Sequence, residues 1–452
     1  MMIRPFRRSA RGAVLVALAG AVAWSSLTPP AAFAQTPQAS PSPSPSPAAS
    51  PDERVQRAED VTVTARRKEE NVQVVPLAVS VKAGRELEVA AVADISELQA
   101  ETPNLSIYAG RNQQTTLTAF LRGVGQADPL WGVDPGVGLY LDDVYIARPQ
   151  GALLDVYDVQ RIEVLRGPQG TLYGKNTIGG AIKYVSREMV DKWQGGASFT
   201  GGSYSNQDFR ASVSGGLVPG KLRARLAGGS FKHSGFGTNL LTGADVSDKN
   251  TKAFRGALDW LPSKDVKFQV SYDVTKDDAQ PKALTRLAAN ALCPVFSGGA
   301  CPPEAKAFDT RSGLKPVNST DAQGGAANLH WTINEQWRFR SITAHRKSDS
   351  ENSIDFDTTP GRIADVFATY YDKQTSQEFQ FLYDSGKKLN GIAGFYYFDG
   401  KAGGLVKNIF INSSFGTTDG SMKTKSYAGF LDGSYRVNDR LTLNAGARLT
   451  KE

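Results

Sequence analysis

From about Asp191 onward the chain runs in segments whose side chains alternate between apolar and polar. In KAFRGALDW, Phe254, Gly256, Leu258 and Trp260 share one face, while Arg255, Ala257 and Asp259 share the other. In VKFQVSYDV, Val266, Phe268, Val270, Tyr272 and Val274 oppose Lys267, Gln269, Ser271 and Asp273. AANLHW, TSQEFQFLY, KSYAGFLDGSYRV and LTLNAGARL continue the run. A period of two is that of a β-strand, whose successive side chains point to opposite faces. One apolar, aromatic-tipped face and one polar face suit a wall between lipid and water; a soluble sandwich also alternates.

The connections separate these readings. Short turns fall at Pro219-Gly220, Ser263 to Asp265, Asn334 to Gln336, Ser385 to Lys388 and Asn438-Asp439. Longer loops are expected near 236–251, 279–323, 354–370 and 405–421. Turns on one side and loops on the other are the pattern of an outer-membrane β-barrel, and a soluble sandwich has no reason to alternate so. Composition agrees: the mean hydropathy of −0.32 excludes a bundle of apolar spanning helices but not a barrel, whose strands average to a polar value. With 45 Gly in 452 residues, turns and strands are favoured over helices.

The first 34 residues read as a cleaved export signal. Arg4, Arg7, Arg8 and Arg11 form a basic region, Ala13 to Trp24 an apolar stretch too short to span a bilayer, and Ala32-Phe33-Ala34 a cleavage site. Its removal takes away four positive charges and no acids, leaving +3 of the formal +7, so the charge gives no support to nucleic-acid binding. Residues 35–58, containing PSPSPSP, read as a Pro/Ser-rich flexible linker that cannot build a core. Cys293 and Cys301 are expected to pair after export to an oxidising compartment; no metal ligand set is expected, because the three histidines are scattered.

Between these parts lies a mixed region. Val61 to Thr64 is extended and β-branched, Val72 to Val81 is a second β run broken by Pro76, and Arg85 to Ala100 suggests short helices with Asp94 and Glu97 spaced as a capping box. TLTAFLRGVG, PGVGLYLDDVYI, VQRIEVLRGPQGTLYG and GGAIKYVS are short β runs ended by Gly or Pro, expected to form one small sheet with tight turns.

Three of these motifs resemble TonB-dependent outer-membrane receptors of the iron-complex type. EDVTVTARRKEEN, Glu59 to Asn71, resembles a TonB box and its flank. Pro135 to Ile146 and Val159 to Ile182 resemble the plug domain. The resemblance implies a signal peptide (1–34), linker (35–58), TonB box and flank (59–71), an α+β plug domain (72–190) and an antiparallel membrane β-barrel begun over 191–452. It implies twenty-two strands, of which about eleven can be counted from Gln194; the chain is therefore expected to be an N-terminal portion that does not form a sealed transporter alone.

The function implied is energised uptake of a scarce small-molecule ligand across the outer membrane, a ferric siderophore or similar metal chelate by family prevalence. The implied partners are TonB with its inner-membrane energising complex and outer-membrane lipid. Asp60, Val61, Thr62, Val63, Thr64 and Ala65 would meet TonB; a β-branched strand on a tether can be added to the edge of another sheet through its free backbone groups. The plug motif comprises Arg122, Gly123, Arg166, Gly167, Pro168, Tyr173, Gly174, Gly179 and Gly180. Outward plug loops help close the ligand site in this family, which points to the loop from Gly123 to Gly136, with Asp128 and Trp131 as ligand contacts or, alternatively, as an ordered loop packed on the wall.

No cofactor and no enzyme activity are expected. GPQGTLYGKN misses the phosphate-loop spacing, and Asn176 stands where a magnesium-binding hydroxyl belongs. Asp142-Asp143 and the Asp355–Asp357 pair lack a partner at motif spacing and read as solvated acids. A passive porin, a barrel enzyme or an inactive receptor fragment are the alternatives.

Overall fold

The computed structural model describes residues 61–296 and 298–452. The export signal, the Pro/Ser tract and Glu59-Asp60 of the box lie outside the described residues. Residues 62–186 build a two-stranded pair and two larger sheets. Strands β1 (Thr62–Val63) and β2 (Glu70–Asn71) pair antiparallel. Strand β3 (Ala78–Ala83) leads into helix α1 (Gly84–Val89) and a 3-10 turn over Ile95–Ala100. That turn starts at Asp94, whose carboxylate accepts the Ser96 N–H.

Strands β4 (Leu105–Ala109), β5 (Leu117–Leu121) and β6 (Val124–Gln126) form a three-stranded antiparallel sheet. Strands β7 (Val137–Leu141), β8 (Val144–Ile146), β9 (Val159–Arg166) and β10 (Gly180–Ser186) join β3 in the order β3-β9-β10-β7-β8, with helix α2 (Gly170–Tyr173) between β9 and β10. The expected single sheet is therefore two. Arg122 and Gly123 both take positive φ, 53° and 78°, and this two-residue turn folds β6 straight back on β5, so the pairing closes locally. Ile95, Ile107, Leu121, Ile162 and Ile182 have no exposure and centre the core.

The rest is one large antiparallel sheet. Its strands are β11 (Gln194–Gly202), β12 (Asn206–Val218), β13 (Leu222–His233), β16 (Lys249–Ser263), β17 (Val266–Asp277), β18 (Asn318–Thr332), β19 (Trp337–Asp355), β20 (Ala364–Asp384), β21 (Leu389–Phe410), β22 (Ser413–Asn438) and β23 (Leu441–Lys451). The hairpin β14 (Gly237–Thr238) and β15 (Asp245–Val246) and helix α3 (Cys293–Phe296) decorate the long connections. The eleven strands pair strictly with their neighbours, and the edge strands β11 and β23 do not pair with each other, so the described sheet is open.

All four expected loops are shorter than expected; β16 already begins at Lys249 and β18 at Asn318. Residues 405–421 are a hairpin, with Leu405 opposite Asp419 and a tight turn at Ile411-Asn412. Residues 364–370 belong to β20. A membrane crossing uses about 9–11 residues per strand, whereas β22 has 26. At the far ends of these strands the alternation is lost, since residues 352–355 are buried on both faces and residues 413–421 are mostly exposed, and such a strand reads as a loop.

Burial in the sheet is inverted. Arg255 and Asp259 are 5% and 2% exposed, while Phe254, Leu258 and Trp260 on the opposite face are 43%, 48% and 55% exposed. Trp260, Trp331, Trp337 and Tyr435 are all exposed near the short-turn end of their strands, an interfacial aromatic row. The polar face of the sheet turns toward the small domain.

Candidate functional site

The extended segment at the start of the described chain is folded down rather than free. Val63 and Ala65 have no exposure, and β1 is already paired with β2. Thr64 donates from N and Oγ1 to Glu163 Oε1 at 2.9 and 3.1 Å, and accepts Lys183 Nζ on its carbonyl at 2.9 Å and its hydroxyl at 2.6 Å. Tyr173 donates its hydroxyl to the Ala65 carbonyl at 2.8 Å. The expectation of unpaired backbone groups on a tether is thus corrected: in this state the segment's bonding capacity is spent on the small domain.

The two arginines that follow reach across to the wall. Arg66 donates to Asp432 (2.5 Å) and Ser434 (2.8 Å) of β22. Arg67 pairs with Asp143 at 2.9 Å and with Glu378 of β20 at 3.5 Å, its guanidinium 4.5 Å from the Tyr173 ring centre. Lys68 donates to Asn390 of β21 at 2.6 Å. Residues 64–68 therefore bridge three strands of the wall and two strands of the small domain.

Asp143 is the hub. It sits in the two-residue turn between β7 and β8, where Asp142 and Asp143 both take positive φ (48° and 69°). Lys183 lies 3.1 Å from it, Arg340 of β19 2.6 Å and Arg67 2.9 Å. Burial alone would raise its carboxyl, but Lys183, Arg340 and Arg67 hold it well below the usual range. Burial likewise opposes the Lys183 charge, and Asp143, Tyr173 and Glu163 outweigh it, so the ammonium is stabilised. The reading of Asp142-Asp143 as solvated acids is corrected: the Asp143 side chain is only 11% exposed and lies against three cations from residues 67, 183 and 340, too distant in sequence for any motif. Asp142 accepts both the N–H and the hydroxyl of Ser186. Asp355 and Asp357 are also buried, at 9% and 7%; Asp357 ties the β19–β20 connection through the N–H groups of Thr359, Ile363 and Ala364.

The plug-motif residues serve turns and close approach. Gly180 has φ of 148°, and a Cβ there would lie 2.1 Å from the Leu165 carbonyl oxygen. Gly179 abuts Val124, next to the Arg122-Gly123 turn, and Gly174 ends α2. Arg166 pairs across β9–β10 with Gly180, and Gly167-Pro168 follow it into the turn before α2. Tyr173 alone of this set touches the β1 segment.

Asp128 and Trp131 stand apart from this centre. Asp128 pairs with Arg111 at 2.9 Å, and Trp131 packs 6.3 Å from the Tyr370 ring beside Ile354, Val366 and Val406. Trp131 thus packs on the wall while Asp128 is tied within the plug, and both side chains keep partial exposure. Cys293 and Cys301 form a disulfide packed on Ile363.

Sequence reasoning missed Glu163, Lys183, Arg340, Glu378 and Asp432. A signal for the first two was present: each is a lone charge inside an apolar run, IEVL and AIKYV, and they are paired in register across β9–β10.

Residues 71–181 match the TonB-dependent receptor plug domain family. The pesticin receptor of Yersinia pestis is 33% identical over 178 residues, covering 37% of this chain and 25% of that protein. The rhizobactin receptor of Rhizobium meliloti is 25% identical over 88% of this chain and 56% of its own length. Among solved structures, the ferric yersiniabactin uptake receptor FyuA from Yersinia pestis superposes with a TM-score of 0.70 at 21% identity, over 83% of this chain and 56% of that one. The ferripyoverdine receptor of the Pseudomonas aeruginosa outer membrane gives 0.67 at 15% identity, over 86% and 54%. The chain thus spans about half the length of the rhizobactin and yersiniabactin receptors that it matches. A plug domain seated against an inverted antiparallel wall, with these likenesses, identifies the chain as a TonB-dependent receptor.

Proposed function

We propose that this receptor takes up a scarce ligand across the outer membrane, a ferric siderophore or similar metal chelate, with energy delivered by TonB through residues 60–65. The observation that carries the reading is the bridging of residues 64–68 to both plug and wall. A pull on this segment acts directly on the buried Asp143 centre, so force is passed to the plug and not dissipated in a slack tether. Strand addition to TonB requires that β1 first leave β2 and that Val63 leave its apolar site; both are then free to pair with another sheet. The names of the relatives, receptors for rhizobactin and for ferric yersiniabactin, support the chelate class. Export through residues 1–34, the spacer at 35–58, the plug at 72–190 and residence in the outer membrane belong to the same proposal.

The test replaces Val63 by Pro, which removes one N–H and strains an added strand. Cells carrying the variant should lose uptake of radiolabelled ferric chelates by about tenfold or more while surface binding persists, since backbone bonds carry strand addition. Normal uptake in the variant, or uptake unaffected by loss of TonB, would contradict the proposal.

A further inference from the structure

The connection between β19 and β20 brings three acids together. Asp355 ends β19 and stands directly opposite Asp365 of β20, and Asp357 lies in the turn between them. One carboxylate oxygen from each lies within 4.8 Å of one from each of the others. All three residues are buried, Asp365 at 2% exposure. Like charges directly opposite each other destabilise a sheet, and burial away from water raises that cost. Among the described residues the one cation paired with the group is Arg362, whose Nε lies 2.9 Å from Asp365 Oδ2 and whose side chain is 41% exposed. Three buried carboxylates against one partly exposed guanidinium leave negative charge uncompensated.

The bonding of the six oxygens shows where a further cation fits. Asp357 is saturated: Oδ1 accepts the N–H and the hydroxyl of Thr359, and Oδ2 accepts the N–H groups of Ile363 and Ala364. Asp355 Oδ1 accepts the N–H groups of Asp357 and Thr358. The remaining oxygens, Asp355 Oδ2 and Asp365 Oδ1, are buried and accept no hydrogen bond of good geometry, the Ser312 hydroxyl being the neutral group beside Asp355. A buried ionised oxygen without a donor is costly. The bonds already made hold the carboxylates in place and leave these two oxygens as open ligands. The donors are carboxylate and hydroxyl oxygens without imidazole or thiolate, which suits a hard cation. Ca²⁺ binds oxygens at about 2.3–2.6 Å in a flexible shell, so two ligands of one ion stand at most about 5 Å apart, in keeping with the spread of the cluster. Mg²⁺ demands a near-ideal octahedron, which side chains fixed by other bonds do not supply.

We propose that Asp355 and Asp365 bind one Ca²⁺, with Asp357 supplying the third charge beside it and water completing the shell, and that the ion pins the β19–β20 connection to its neighbours. Those neighbours converge on the site. Ile363 packs on the Cys293–Cys301 disulfide, Arg286 donates to the Thr358 carbonyl, and the Thr359 carbonyl accepts the Gly313 N–H at 2.9 Å. One residue further along the strands, the pair Ile354 and Val366 receives Trp131 of the plug loop. The ion thus stiffens the frame on which Trp131 rests. Strand β19 runs from Trp337, near the short-turn end, to Asp355; a crossing uses about 9–11 residues, so the cluster lies beyond it and is reached from water. The site goes beyond the uptake reading and does not depend on it.

The test titrates the full chain, in detergent and stripped of divalent cations with EDTA, with calcium chloride in a calorimeter. One Ca²⁺ should bind with a Kd between about 1 μM and 1 mM, the range spanned by sensor and extracellular oxygen-ligand sites, and Mg²⁺ at least about tenfold more weakly. Asp355→Asn and Asp365→Asn should each weaken Ca²⁺ binding by about tenfold or more, because ligand charge sets affinity. Asp321→Asn, at an exposed ion pair with Lys276, should leave it unchanged. No Ca²⁺ binding in the parent up to about 10 mM, well above the weakest such sites, would overturn the proposal, and so would binding that survives in both Asn variants.

A second measurement needs no substitution and so holds even where an Asn variant fails to fold. In the parent, Ca²⁺ should slow amide hydrogen exchange across residues 355–366 by several-fold, EDTA should reverse the effect, and the plug strand β7 should exchange at the same rate with and without the ion. Exchange across 355–366 that is indifferent to Ca²⁺ would overturn the pinning.

Discussion

In the plug, Ile162, Leu165 and Ile182 have no exposure; in the wall the buried side chains include Arg255 and Asp259, while Phe254, Leu258 and Trp260 face outward. The plug is built like a water-soluble domain and the wall like its inverse. Where they meet, polar and apolar contacts are mixed: the ion pairs Arg67–Glu378 and Arg340–Asp143 stand beside apolar patches in which Tyr145 and Leu172 cluster with Phe398 and Phe430, and Trp131 with Val366 and Val406. Water can replace the ion pairs and hydrogen bonds but not the apolar contacts, so the interface holds a definite geometry at a cost to any separation.

The sharpest way to break this contrast is at the buried charges. Lys183→Met leaves Asp143 and Glu163 without their shared plug cation, and should cost about 3–5 kcal/mol of plug stability, read by chemical unfolding in detergent. A loss below about 1 kcal/mol, the scale of a surface ion pair, would mean that the centre is solvated after all. Next in size, Leu258→Arg on the outer face should cost about 2–4 kcal/mol of folding into lipid vesicles, whereas Ala257→Arg on the inner face should cost far less. Equal costs would erase the inside-out assignment of the wall.

Arg66→Ala removes two hydrogen bonds that a buried guanidinium makes to β22 and should cost about 1.5–3 kcal/mol. It should loosen residues 61–71 without unfolding the plug, as read by limited proteolysis. The smallest effect is that of pH. The Asp143 carboxyl is held below its unfolded value, so its contribution is present in full above about pH 4. It is lost only as pH falls through the depressed value. Plug stability attributable to this centre should be flat from pH 8 to 5 in thermal unfolding and decline below 4; Asp143→Asn should abolish that decline.

The wall was legible because a two-residue period over a half-buried surface leaves a mark in every strand; Phe254 to Trp260 alone establishes which residues share a face. It stopped being legible at the far end of the hairpin, where Ser413 to Ser421 is strand but polar-rich and mostly exposed, without alternation. In the plug, the short β runs and the Asp94 cap were readable, but the separate β4–β6 sheet was not, because it depends on a backbone turn at Arg122-Gly123. The centre at Asp143 was the least legible. Its cations come from residues 67, 183 and 340, and only the tertiary fold brings them within 3.1 Å. Burial of Val63 was hidden for the same reason: a β-branched run looks alike whether it is free to add to a partner's sheet or already seated in its own domain.

The central claim is that residues 61–71, the segment proposed to meet TonB, are held down by the Asp143 centre. Amide hydrogen exchange of residues 61–71 in the full chain, compared between the parent and Asp143→Asn, tests it most directly. The account predicts slow exchange at Val63, Thr64 and Ala65 in the parent and faster exchange by at least about tenfold in the variant, the equivalent of about 1.4 kcal/mol of lost protection. Fast exchange of these amides in both proteins would contradict it.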